Sequence, residues 1–140
     1  MKLSLKIGKS CQELEIPPEH PVTVLTPNDI PRKGTEEEEI CTALTHPIGS
    51  PRLCQLVKPG ERIAIVTSDI TRPMPTHKVM PYLLDELYLA GVRREDITLV
   101  FALGSHRPHT ENERKSLAGE RAWQEIRCVD SDPSDCICMG

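Results

Sequence analysis

Aromatic residues are almost missing from this 140-residue chain, which has two tyrosines, one phenylalanine and one tryptophan. Proteins that hold single-stranded nucleic acid stack its bases on aromatic rings, so four rings argue against that class. Basic charge is not in excess either. Lys and Arg number 17 against 21 Asp and Glu, a net charge of −4, whereas nucleic-acid binding needs clustered cations. No apolar run approaches the roughly 18 residues of a membrane span. The opening residues, Met1 to Lys6, alternate polar and apolar side chains and lack the apolar stretch of a secretory signal. The expectation is a soluble, cytoplasmic protein that engages neither nucleic acid nor membrane. The six cysteines include no CxxC pair, which removes the common zinc-ribbon and thioredoxin spacings. Cys11, Cys41, Cys54, Cys128, Cys136 and Cys138 therefore read as reduced, partly buried thiols.

Proline, by contrast, is abundant. Of 13 prolines, eight precede residue 60, so that segment should hold much extended, irregular chain. Residues 2–7 alternate as a strand, Gly8-Lys9-Ser10 marks a turn, and residues 12–16 read as the returning strand of a β-hairpin. Val22-Thr23-Val24-Leu25 is a candidate short strand. Thr35 followed by Glu38 is a capping box, and the acidic run Glu36 to Glu39 suits the positive end of a helix dipole. That helix should reach Leu44 or Thr45, before Pro47.

From residue 62 the pattern changes. Residues 62–67 and 97–103 are short apolar runs of the kind that form strands buried on both faces of a parallel sheet. Between them, residues 76–90 place Val79, Leu83, Leu87 and Ala90 on one helical stripe, with Met80 and Leu84 beside it. Pro81 should bend or weaken the first turn, and Gly91 should stop the helix. Thr110 with Glu113 is a second capping box, starting a helix at about Glu111 that ends near Gly119. Cys128-Val129-Asp130 and Cys136-Ile137-Cys138-Met139 are candidate strands. This order is a βαβ series, which predicts an α/β fold with a mostly parallel, Rossmann-like sheet preceded by the N-terminal hairpin.

In such sheets ligands bind outside the carboxyl ends of the strands. Two polar loops leave those ends. One offers Ser68, Asp69, Thr71 and Arg72; the other offers Gly104, Ser105, His106, Arg107 and His109. A carboxylate can orient a histidine, an arginine fork suits a carboxylate or phosphate, and a histidine moves protons near neutral pH. Each also has a plain reading: Asp69 as a turn residue, Arg72 as half of a surface ion pair, His106 and His109 as loop histidines. His106-x-x-His109 lacks further ligands at useful spacing, and no metal ligand is assigned. His20, His46 and His77 are isolated.

Taken together, Ser68-Asp69-Ile70-Thr71-Arg72-Pro73 and, about thirty residues on, Ala102-Leu103-Gly104-Ser105-His106-Arg107-Pro108 resemble the N-terminal domain of the nickel-dependent lactate racemase family. The resemblance is best over residues 60–118. It implies an isomerase that interconverts the enantiomers of a small-molecule 2-hydroxy acid by moving the C2 hydride to and from a nickel-pincer nucleotide. It further implies that His106 is one of two catalytic bases, that Asp69 is the carboxylate supporting the histidines, and that Arg72 clamps the substrate carboxylate. The family's cofactor lysine, nickel-ligand histidine and second catalytic histidine have no counterpart in this chain. On this reading residues 1–140 are the N-terminal part of the racemase N-terminal domain: residues 1–60 a hairpin and proline-rich segment, residues 61–140 a βαβ core. A strand at the very end with no covering helix suggests a truncated chain, inactive alone and without bound cofactor. The reading from a different class is a stand-alone α/β module that binds anions or carboxylates without catalysis. Which 2-hydroxy acid is bound, and the oligomeric state, are left open.

Overall fold

Alternating side chains build the first strands. The computed structural model describes residues 1–31, 34–72 and 74–137, and the chain divides into two units, Met1–Lys33 and Gly34–Gly140. In the first unit, β1 (Lys2–Ile7) pairs antiparallel with β2 (Ser10–Glu15), with Ile7 opposite Ser10 across a two-residue turn. Gly8 takes φ +58 there, the left-handed conformation such hairpin turns need. The strand expected at 22–25 does not form. Those residues are irregular and exposed; Pro21 and Pro27 bracket them, and among the described residues no strand pairs with them.

The second unit opens with α1 (Glu36–Thr45), whose capping box is complete: Glu38 N–H donates to Thr35 Oγ1 at 3.2 Å, and Thr35 N–H donates to Glu38 Oε2 at 2.8 Å. A single turn, α2 (Leu53–Leu56), follows and was not legible in the sequence. Arg52, just before it, pairs with the buried Glu86. Then come β3 (Ile63–Ser68), α3 (Thr76–Leu89), β4 (Ile97–Ala102), α4 (Glu111–Ala118), α5 (Glu120–Glu125) and β5 (Arg127–Asp130). The sheet order is β3-β4-β5 and both pairings are parallel, with Ile63 beside Ile97 and Thr98 beside Arg127. All carboxyl ends therefore lie on one side.

The core fills one face of this sheet. Met80, Leu84 and Leu87 of α3 pack with Ile97, Leu99 and Phe101 of β4, joined by Ala118, Ala122 and Ile126. The buried stripe of α3 is thus turned toward Met80 and Leu84; Val79, Leu83 and Ala90 are half-buried. Pro81 does not interrupt the helix, and its carbonyl accepts from Arg121 Nη1 at 3.0 Å. The expectation that β3 is buried on both faces is corrected. Its residues alternate, Ala64 is exposed, and Val66 is 67% exposed, because the helices cover only the face that Ile63 and Ile65 share with the core.

The last candidate strand is also corrected in part. Cys136 and Ile137 are irregular and exposed, while Cys138 and Met139 lie outside the described residues. The five described cysteines are all free. Burial pushes the Cys128 thiol up to about 11.

Gly119 joins α4 to α5 at φ +81, and a β-carbon there would meet His77 Cβ at 3.1 Å and its Cα and carbonyl oxygen at 3.2 Å. Backbone conformation and space both require glycine. Gly119→Ala should lower stability by about 1–3 kcal/mol, read as a melting temperature several degrees lower by calorimetry. An unchanged melting temperature would show that α4 and α5 rearrange freely around His77.

Candidate active site

The site begins where β3 ends. Thr67, near the end of β3, hydrogen-bonds Thr76 at the start of α3, Oγ1 to Oγ1 at 2.6 Å. This fixes both roots of the 69–75 loop. Inside the loop, Asp69 Oδ1 accepts from Thr71 Oγ1 at 2.7 Å and Thr71 N–H at 3.2 Å, and Asp69 O accepts from Arg72 N–H at 3.2 Å. Short polar side chains closing on their own backbone in this way define a tight turn. Asp69 is therefore a turn residue, but only one of its oxygens is used for that. It is 3% exposed, and its other oxygen, Oδ2, meets Nδ1 of His106.

His106 comes from the loop after β4. A turn from Leu103 to His106 is closed by His106 N–H donating to Leu103 O at 3.1 Å, with Gly104 at φ +59. Nothing lies within 4 Å of where a Gly104 β-carbon would sit, so within the chain itself it is the backbone conformation that favours glycine there. The Thr71 hydroxyl bond, helped by the His106 contact, holds the Asp69 carboxyl below the usual carboxylate range against the opposing effect of burial. A carboxylate on Nδ1 places the proton there and leaves Nε2 with its lone pair, the orienter-and-base arrangement of acyl-transfer enzymes.

Asp69, Arg72, His106 and Ser68 line one cleft of about 530 Å³, together with Val66, Ala102 and the turn at Gly104 and Ser105. Arg72 is exposed, and its guanidinium has no ion-pair partner among the described residues. The Ser68 hydroxyl is buried and has no hydrogen-bond partner among the described residues. Arg107, expected to flank the crevice, is instead committed to Glu113: Nη1 and Nη2 donate to its two oxygens at 2.9 and 2.8 Å, and hold that carboxyl down at about 2.

His109 had no assigned role, and its position is unexpected. It is buried, and its Nδ1 lies 2.7 Å from Asp130 Oδ1. His106 and His109 thus meet different carboxylates, Asp69 and Asp130, through Nδ1. Among the described residues no group of three or more His, Cys, Asp or Glu is gathered to hold a metal ion. No helix among them is long and apolar enough to cross a membrane.

The sequence pattern of the lactate racemase N-terminal domain matches residues 7–140. The chain belongs to this family. Lactate racemase of Thermoanaerobacterium thermosaccharolyticum is 38% identical over 86 residues, covering 61% of this chain and 20% of that protein. Lactate racemase of Lactiplantibacillus plantarum is 38% identical over 111 residues, covering 77% of this chain and 26% of that protein. The solved structure of the lactate racemase apoprotein from Thermoanaerobacterium thermosaccharolyticum superposes with a TM-score of 0.70 at 33% identity, over 94% of this chain and 30% of that one. The lactate racemase resemblance, the α/β class and the parallel sheet after a hairpin all stand. The chain spans about a fifth to a quarter of the curated racemases it matches.

Proposed function

We propose that this racemase domain supplies one half of an active site that interconverts the enantiomers of a 2-hydroxy acid. The observation that carries this is the oriented Asp69–His106 pair opening into the same cleft as Arg72, whose guanidinium has no ion-pair partner among the described residues. Arg72 takes the substrate carboxylate through its fork. Nε2 of His106 accepts the proton of the C2 hydroxyl as that carbon becomes a carbonyl, and returns it later. Asp69 keeps the ring in the accepting tautomer and stabilises the imidazolium once it forms. The Ser68 hydroxyl, without a partner among the described residues, can bond the bound acid.

The family's nickel-pincer nucleotide supplies the hydride acceptor when bound. In our reading the lysine that carries it, the histidine that ligates nickel and the second base lie outside this chain, so no residue described here is assigned to hold it. We take residues 1–140 to be the N-terminal part of the N-terminal domain and the protein to be cytoplasmic, acting on a small molecule without nucleic acid or membrane.

The purified 140-residue chain should bind lactate without racemising it. Titration with either enantiomer, followed by NMR, should shift the His106 ring and the Arg72 guanidinium signals. No shift at either residue sinks the carboxylate site. Racemisation by the chain free of full-length enzyme sinks the division of the site. Binding without turnover is common to the racemase half-site and to a plain carboxylate-binding module; loss of turnover in a full-length enzyme altered at His106 separates them.

A further inference from the structure

The loop after β4 holds the loop after β3 twice, once through a side chain and once through the backbone. His106 takes the Asp69 carboxylate. Three residues on, Nε2 of His109 lies 3.1 Å from the N–H of Ile70 and accepts from it. A backbone N–H can only donate, so this nitrogen must carry a lone pair. The ring proton is therefore on Nδ1, where it is donated to Asp130 Oδ1 at 2.7 Å. Asp130 Oδ2 also accepts the His109 N–H at 2.9 Å. The His109 side chain is 1% exposed, and its ring meets that of Phe101 edge-on, centroids 5.6 Å apart at 77°. Arg114 faces the same carboxylate, its Nη1 3.7 Å from Asp130 Oδ2.

We infer that His109 is a positioning residue of this site, in which Asp130, at the end of β5, sets the His109 ring so that it grips the peptide joining Asp69 to Ile70. This rests on the reading of Asp69 and Arg72 as the substrate-handling loop. The gripped N–H belongs to the residue directly after Asp69 and two before Arg72. Its orientation fixes the backbone from which the Asp69 carboxylate reaches both Thr71 and His106. A histidine that merely filled the core would need neither a defined tautomer nor a bond to this peptide. The relay runs from Asp130 through His109 and Ile70 N–H to Asp69, and then to His106, with no water or ligand needed to complete it.

Two variants separate the two bonds. In His109→Gln the amide oxygen extends toward the Nε2 position and keeps an acceptor for Ile70. In His109→Asn the amide nitrogen sits near Nδ1 and keeps a donor for Asp130, but the acceptor is lost. In the 140-residue chain, Ile70 amide exchange should be about five- to tenfold faster in the Asn variant than in the Gln variant. Lactate should shift the Arg72 signals less in Asn than in Gln. The ring nitrogens of wild-type His109 should show Nδ1 protonated and Nε2 bare. Equal exchange in the two variants, or a proton on Nε2 in the wild type, overturns the assignment. If neither variant folds, the wild-type ring spectrum decides it. Should the wild type bind no lactate while the Ile70 difference persists, the carboxylate reading fails and the relay stands.

Discussion

Asp69→Asn in a full-length racemase carrying this domain is expected to lower kcat/KM by about two to four orders of magnitude. The change is nearly isosteric, so the turn survives: the amide oxygen can still accept from Thr71, which holds Oδ1 through both its hydroxyl and its N–H. The remaining atom then becomes an NH2 group facing Nδ1 of His106. It can only donate, so Nδ1 must give up its proton and Nε2 must take it. A ring protonated on Nε2 cannot accept from a substrate hydroxyl. His106→Ala should cost about as much, and the double variant little more than either alone, because the two residues act as a unit. Chiral analysis of lactate against time measures this. Losses that simply multiply in the double variant would show that Asp69 and His106 act separately.

Arg72→Ala is the second large effect. Its guanidinium has no ion-pair partner among the described residues, so its removal leaves no stranded carboxylate and the fold should tolerate it. What is lost is a charge-assisted pair with the substrate, on the order of 1.5–3 kcal/mol, or about one to two decades in kcat/KM. Arg72→Lys should recover part of that, since a point charge cannot form the bidentate fork. Wild-type kcat/KM in the alanine variant, with unchanged melting temperature, would remove Arg72 from the carboxylate site.

The elements that position the site could be read from the chain because their signals are local. Thr35 and Thr110 each meet a glutamate three residues on, and both helices start there. The apolar runs from Ile63 and Ile97 became neighbouring parallel strands, so their loops had to meet. What was missed depends on distant partners. The β3 run was apolar enough for two covered faces, yet nothing in its composition says that the helices cover only one. Val22 to Leu25 has strand-forming residues but no partner strand among the described residues. Arg107 looks identical to a site residue until Glu113, six positions away, takes its fork. Asp130 closes an apolar strand like any terminal polar residue, and its tie to His109 spans 21 residues with no motif to mark it. Burial is a property of the assembled sheet, and a buried histidine cannot be told from a loop histidine before the sheet exists.

The four residues of β5 have a consequence for the order in which this region matures as it is made. Leu103 N–H donates to Ser131 Oγ at 3.0 Å, Ser131 N–H donates to Phe101 O at 2.8 Å, and Asp130 holds His109. Each of the two loops of the cleft is thus pinned from the exit of β5, the loop after β4 directly and the loop after β3 through His109, and neither holds this set of supports until β5 has been made. A ribosome adds about 5–20 residues per second, so the segment from Asp69 to His109 exists for seconds before residues 127–131 arrive to brace it. During that interval β4 has one bare edge. The docking of a four-residue strand is then the event that both closes that edge against a stray pairing partner and braces the loops that line the cleft.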